Sequence, residues 1–166
     1  MLFLHCQLLL VWEIHMAAND AIALLKADHK EVAEMLEKFE TARSTKAKLA
    51  QQICQALTVH AQIEEEIFYP AAREALGDEG KDLLDEAKVE HSSLKDLIGQ
   101  IEGSGPDDEL FDAHVKVLGE YVKHHVKEEE GEMFPKLRKS DMDLVEVGAR
   151  LAARKKELMA EMKAAA

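Results

Sequence analysis

Apolar residues recur every three to four positions along most of this chain, the period of helices that each bury one face. Leu25, His29, Val32, Leu36 and Phe39 share one stripe, with Asn19 and Asp20 as N-cap candidates before it. A second stripe runs through Ile53, Leu57, His60, Glu64 and Ile67 or Phe68. The third holds Ala87, His91, Leu94, Ile98 and Ile101, and the fourth Phe111, Val115, Leu118, Val122, His125 and Glu129. Helix-breaking stretches separate them at Ser44 and Thr45, at Gly77 to Gly80, and at Gly103 to Asp108, where Pro106 suits a first helical turn. A further break from Arg138 to Asp143 precedes a last amphipathic segment with Leu144, Val147, Leu151, Leu158 and Met162. Strand signals are almost absent.

The second and fourth stripes repeat each other. His60, Glu64 and Pro70 reappear as His125, Glu129 and Pro135 at a constant offset, and Ile53 and Leu57 map onto Leu118 and Val122. The first stripe maps onto the third with Asp28 over Glu90 and His29 over His91. Two copies of one helical hairpin bury their stripes against each other. The expected fold is therefore all-α, an antiparallel up-down four-helix bundle over residues 19–139 with an additional C-terminal helix in 140–166. Pro70 and Pro135 lack the amide that would bond the carbonyls of Glu66 and Gly131, so the second and fourth helices are each expected to kink or end there.

Residues 1–18 form an N-terminal extension. Met1 to Trp12 is apolar, but it lacks a basic leading region and a small-residue cleavage site and is too short to span a bilayer. Translation beginning at Met16 is the expected reading, with an extra packing segment or a targeting segment as alternatives.

Composition narrows the function. With 33 acidic and 21 basic residues the formal charge is −12, which disfavours nucleic acid and anionic membrane surfaces as partners. Cys6 and Cys54 have no metal-ribbon or disulfide spacing, which fits a cytoplasmic setting. HExxH, phosphate-binding glycine loops and nucleophile elbows are missing, against the common hydrolase and kinase chemistries.

The chemistry lies in the stripes. His29, His60, His91 and His125 occupy positions where the pattern otherwise places aliphatic or aromatic residues, and Glu64 and Glu129 follow two of them by one helical turn. Buried imidazoles and carboxylates cost several kcal/mol each unless a partner satisfies them. Two metal ions, each taking two imidazoles and sharing both glutamates, supply that partner. Imidazole and carboxylate without thiolate favour iron, manganese or zinc. His125 with Glu129 is preferred to His124 with Glu128 because it continues the stripe, which leaves His124 in solvent. His114 reads as surface, Cys54 as a small buried hydrophobe, Tyr121 as a packed tyrosine or pocket donor, and Asp28, Glu65 and Glu90 as solvated charges, with hydrogen bonds to the core histidines as the alternative.

At these residues the sequence resembles the haemerythrin-like HHE cation-binding family, in its four-histidine, two-glutamate bacterial form. The elements that carry the likeness are KADHKEV (Lys26 to Val32), HAQIEEEIFYP (His60 to Pro70), VEHSSLKDL (Val89 to Leu97) and HHVKEEEGEMFP (His124 to Pro135). The resemblance covers roughly Ala21 to Lys139. It implies two iron ions in an oxo- or hydroxo-bridged centre, with zinc or manganese less suited, held by His29, His60, Glu64, His91, His125 and Glu129. One departure stands out: Ala87 and Lys95 flank His91 by one turn, where oxygen carriers of the family have a fifth histidine. The resemblance thus implies binding or sensing of dioxygen, nitric oxide or peroxide by a monomer or weak oligomer, not reversible oxygen transport. Its alternatives are an enzyme handling peroxide or nitric oxide or giving up iron for cluster repair, and a structural bundle holding zinc.

Overall fold

A computed structural model describes residues 20–165; the 1–18 extension and Cys6 lie outside the described residues. Helix α1 (Ala21–Thr41) opens at Asp20, whose side chain accepts the amide hydrogen of Ala23 at 2.7 Å. Such a cap satisfies one of the four amides that a helix start leaves free. Helix α2 (Lys46–Ile63) leads through a wide π-helical turn (Glu64–Phe68) into α3 (Tyr69–Leu76). A 3₁₀ turn (Gly77–Gly80) starts α4 (Lys81–Ser104). Helix α5 (Phe111–Glu128) repeats the pattern of α2, passing through a π turn (Glu129–Met133) into α6 (Phe134–Leu137). Helix α7 (Leu144–Ala165) completes the order, and no strand occurs among the described residues. None of the described helices is long and apolar enough to cross a membrane.

Helices α1, α2, α4 and α5 pack as a closed ring in which each touches the next, the expected four-helix bundle. Helix α7 lies along α1, α2 and the first π turn. Two sequence expectations change. Helix α4 continues to Ser104 and stops at Gly105, which takes φ +77°, and Pro106 sits in the connecting turn, since α5 begins only at Phe111. The prolines end nothing: the chain widens before each, with Tyr69 N–H donating to Glu64 C=O and Phe134 N–H to Glu129 C=O, and then resumes as α-helix. The wider turn accommodates the amide that proline lacks.

The bundle interior has two apolar clusters with a polar layer between them. One cluster gathers Leu25, Ile63, Phe68, Ala87, Met133 and Leu151; the other gathers Val32, Leu57, Leu94, Ile98, Leu118 and Val122. On every helix of the ring the histidine stands at the boundary, as His29 does between Leu25 and Val32 and His91 between Ala87 and Leu94.

Candidate metal centre

The six residues singled out from the stripes meet in that polar layer, each buried, with Glu64 and Glu129 at 0% and 1% exposure. His29 and His60 bring their Nε2 atoms to 3.2 Å, and His91 and His125 do the same at 3.2 Å. Glu64 lies between the pairs, one oxygen 3.2 Å from His60 Nε2 and the other 3.4 Å from His91 Nε2. Glu129 Oε2 likewise lies 3.3 Å from His29 Nε2 and 3.6 Å from His125 Nε2. The donors fall into two groups, His29, His60, Glu64 and Glu129 in one and Glu64, His91 and His125 in the other, each compact enough to hold a metal ion.

The tautomers follow from the outer faces of the rings. Each Nδ1 faces a carboxylate: His29 that of Glu130 at 2.9 Å, His60 that of Asp28 at 3.4 Å, His91 that of Glu65 at 3.1 Å and His125 that of Glu90 at 2.7 Å. A carboxylate only accepts, so Nδ1 donates and the inward Nε2 keeps its lone pair in the neutral ring. Four lone pairs and two carboxylates then converge. While the inward nitrogens carry no proton, both oxygens of Glu64 and Oε2 of Glu129 have no hydrogen-bond partner, a cost rarely tolerated in a protein core. Donors of this kind, all nitrogen and oxygen and all turned inward, fit a pair of metal cations.

Burial and the neighbouring charges compete for the protons. Burial works to lower His60, but the charge of Glu64, the contacts with Asp28 and Glu64 and the charge of Glu129 outweigh it and push the imidazole up to about 10. Glu64 is held well below its usual range: burial opposes this, and the two histidines His60 and His91 overcome it. In the metal-free protein a proton on His60 therefore supplies part of the missing positive charge, and a metal has to displace it.

For Asp28, Glu65 and Glu90 the alternative holds: each hydrogen-bonds a core histidine and is not merely a solvated charge. They and Glu130 orient the rings, in a pattern that follows the repeat. Asp28 and Glu90, the residues before His29 and His91, serve His60 and His125, while Glu65 and Glu130, the residues after the glutamates, serve His91 and His29. Carboxylates in this position fix ring orientation and raise ligand basicity. Asp28→Asn is expected to weaken metal binding by about 10–100-fold, read by competition with a chelator; an unchanged affinity contradicts the role.

Tyr69 was not singled out in the sequence. Its hydroxyl donates to Glu129 Oε1 at 3.0 Å and lies 3.1 Å from His91 Nε2 and 3.4 Å from His125 Nε2. Burial, followed by the charges of Glu64 and Glu129, raises its pKa well above the usual value, so it remains a proton donor. The wide turn brings a residue five positions on over the face of Glu64, and Tyr69 is that residue. At the equivalent place in the repeat stands Phe134, whose ring stacks on His29 with centroids 6.0 Å apart. The two halves are consequently unlike, although the absence of a fifth histidine alone would make them similar. Tyr121, the tyrosine expected to pack or line the pocket, is 47% exposed. His114 is half-buried instead of on the surface, with Nδ1 unpartnered. Cys54 is buried as expected, and burial together with the charge of Glu102 pushes its thiol up to about 11.

A helical bundle whose core holds two His/Glu clusters able to bind metal is a cation-binding protein in its architecture. The match over residues 20–137 to the Hemerythrin HHE cation binding domain shows that the chain belongs to that family. It is 30% identical over 119 residues to a protein of Nostoc sp. named DNA nickase, covering 69% of this chain and 32% of that one. It is 25% identical over 114 residues to an uncharacterised haemerythrin-like protein of Schizosaccharomyces pombe, covering 68% and 56% respectively. The chain thus spans between a third and little more than half the length of these relatives. A crystal structure of a hemerythrin HHE cation binding domain-containing protein from Mycobacterium kansasii has the same fold. It superposes with a TM-score of 0.72 at 22% identity, over 86% of this chain and 88% of that one.

Proposed function

We propose that this protein is a non-haem di-iron protein that binds or senses dioxygen or a related small ligand such as nitric oxide or peroxide. The observation that supports it most is the inward convergence of four imidazole nitrogens with Glu64, both of whose oxygens lack a hydrogen-bond partner, and with the unpartnered Oε2 of Glu129. His29 and His60 would hold one ion, His91 and His125 the other, and the two glutamates both. Nitrogen and oxygen donors without thiolate suit iron, with manganese or zinc as lesser fits. Once bound, two iron ions supply redox-active Lewis acidity toward a small electron-accepting ligand.

The chain's own residues set what reaches them. Against the histidines lies a cavity of about 20 Å³ walled by Val32, Leu57, Leu94, Ile98 and Val122, sufficient for a water-sized or diatomic molecule. Its volume excludes larger ligands, and Asp28, Thr58 and Lys95 also line it. Glu64 and Glu129 hold negative charge between the metal positions, and the four outer carboxylates keep the imidazoles in their metal-ready tautomer.

A second reading, an enzyme acting on peroxide or nitric oxide, draws support from Tyr69, a protonated hydroxyl at the centre that can hand a proton or hydrogen bond to a bound ligand. The nickase activity named for the Nostoc protein is not carried over, because this chain matches a third of that protein and its charge of −12 opposes a phosphate backbone.

Protein purified in air is expected to hold two irons per chain and to show near-ultraviolet ligand-to-metal absorption that changes when air is excluded. Iron well below one per chain without that absorption contradicts the reading and favours a zinc-holding bundle. Peroxide turnover that falls on Tyr69→Phe at unchanged iron content marks the enzyme; binding without turnover marks the sensor.

A further inference from the structure

The four carboxylates that orient the buried imidazoles each meet a basic side chain on their outer side, and one of those four partners differs in kind. Glu130 pairs with Lys26 at 2.8 Å, Glu65 with Lys95 at 2.6 Å, and Asp28 with Lys155. An ammonium has no lone pair to offer and repels a cation. Glu90 meets an imidazole instead: His124 Nε2 lies 3.4 Å from Glu90 Oε1 and 3.3 Å from Glu128 Oε1.

We propose that His124, Glu90 and Glu128 form a peripheral site for one divalent transition-metal cation of the zinc(II) or iron(II) type, joined to the buried centre through Glu90. The outer cluster stands on its own donors; its link to a buried metal pair rests on the function proposed above. An ion about 2.1 Å from tetrahedral donors holds them about 3.4 Å apart, which matches both measured separations. The donors come from two helices, Glu90 from α4 and the pair His124 and Glu128 from successive turns of α5. Among the described residues neither glutamate is paired with a lysine or arginine, so one imidazole and two carboxylates face each other without a cation. His124 is 59% exposed, which leaves solvent free to complete the coordination.

The shared carboxylate makes this more than a surface chelate. Glu90 turns Oε1 to the cluster and accepts from His125 Nδ1 on Oε2. A cation on the outer oxygen draws charge away from the hydrogen bond that makes His125 a strong ligand, so the two sites influence each other's affinity, and by linkage reciprocally. A cation captured from solvent is held one residue from a ligand of the buried centre.

Zinc(II) alone, titrated into chelator-stripped full-length protein against a chromophoric zinc indicator, tests this. Wild type is expected to bind three zinc ions per chain, the weakest of them missing in both His124→Ala and Glu128→Gln, which keep the two tighter ones. Equal counts in wild type and both variants overturn the proposal. A difference of one that persists while the variants keep fewer than two ions supports the outer site and counts against the buried pair, so the two claims fail separately. Circular dichroism matching wild type confirms that both variants remain folded.

Discussion

Glu64→Gln is expected to reduce the metal held in the buried centre from two ions per chain to one or none, with the helical fold retained. Glu64 is fully buried, and its two oxygens face one histidine from each half of the centre, His60 at 3.2 Å and His91 at 3.4 Å. Glu129 reaches across as well, but Tyr69 takes up its other oxygen. Losing the Glu64 charge would therefore remove the anion that the two proposed ions share, and leave two cations with less negative charge between them. The amide keeps the size of the carboxylate, so packing changes little. Glu66→Gln serves as the control: it lies two residues away in the same acidic run, is exposed, and pairs with Arg154 on α7, so its metal count is expected to stay at the wild-type value. Metal analysis after gel filtration reads both variants. Wild-type metal in Glu64→Gln would falsify the shared-carboxylate arrangement.

Leu151→Ala is expected to cost about 2–5 kcal/mol of stability, read as a lower denaturation midpoint at unchanged slope. Leu151 is fully buried on α7, in the cluster that contains Phe68 and Tyr69. Helix α7 packs along α1, α2 and the first π turn, so a cavity under Leu151 adjoins the turn that positions Glu64 and Tyr69. Lys155, one turn later, pairs with Asp28 and so connects the same helix to His60. Met159 on the exposed side of α7 is the comparison: Met159→Ala is expected to stay within about 0.5 kcal/mol of wild type. Equal effects from the two substitutions would mean that α7 does not belong to the bundle's packing.

Helical periodicity explains which parts of this arrangement were legible in the sequence. Each of the four core histidines replaces an apolar residue in a stripe that is otherwise regular, so His29, His60, His91 and His125 stand out, and the repeat carries Glu64 and Glu129 with them. Tyr69 was hidden because a regular helix continues the stripe through Phe68 and turns Tyr69 away. Only the widened turn, which no residue type announces, buries both. Asp28, Glu65, Glu90 and Glu130 border exposed positions and look like any solvated charge until neighbouring helices supply the histidines they serve. The repeat did hold one unused signal: it sets Tyr69 over Phe134, so one half carries a hydroxyl where the other has a plain apolar ring. For α7, the apolar face was evident from Val147, Leu151 and Leu158, but a stripe does not name the groove it fills. Contact with α1 and α2 is a property of the assembled bundle.

Anomalous X-ray diffraction at the iron edge, from crystals of protein purified in air, tests the central claim most directly. Two peaks are predicted about 3.5–4 Å apart, one beside His29 and His60, the other beside His91 and His125, with Glu64 and Glu129 between them. A single peak, or metal found only at the protein surface, would contradict the account.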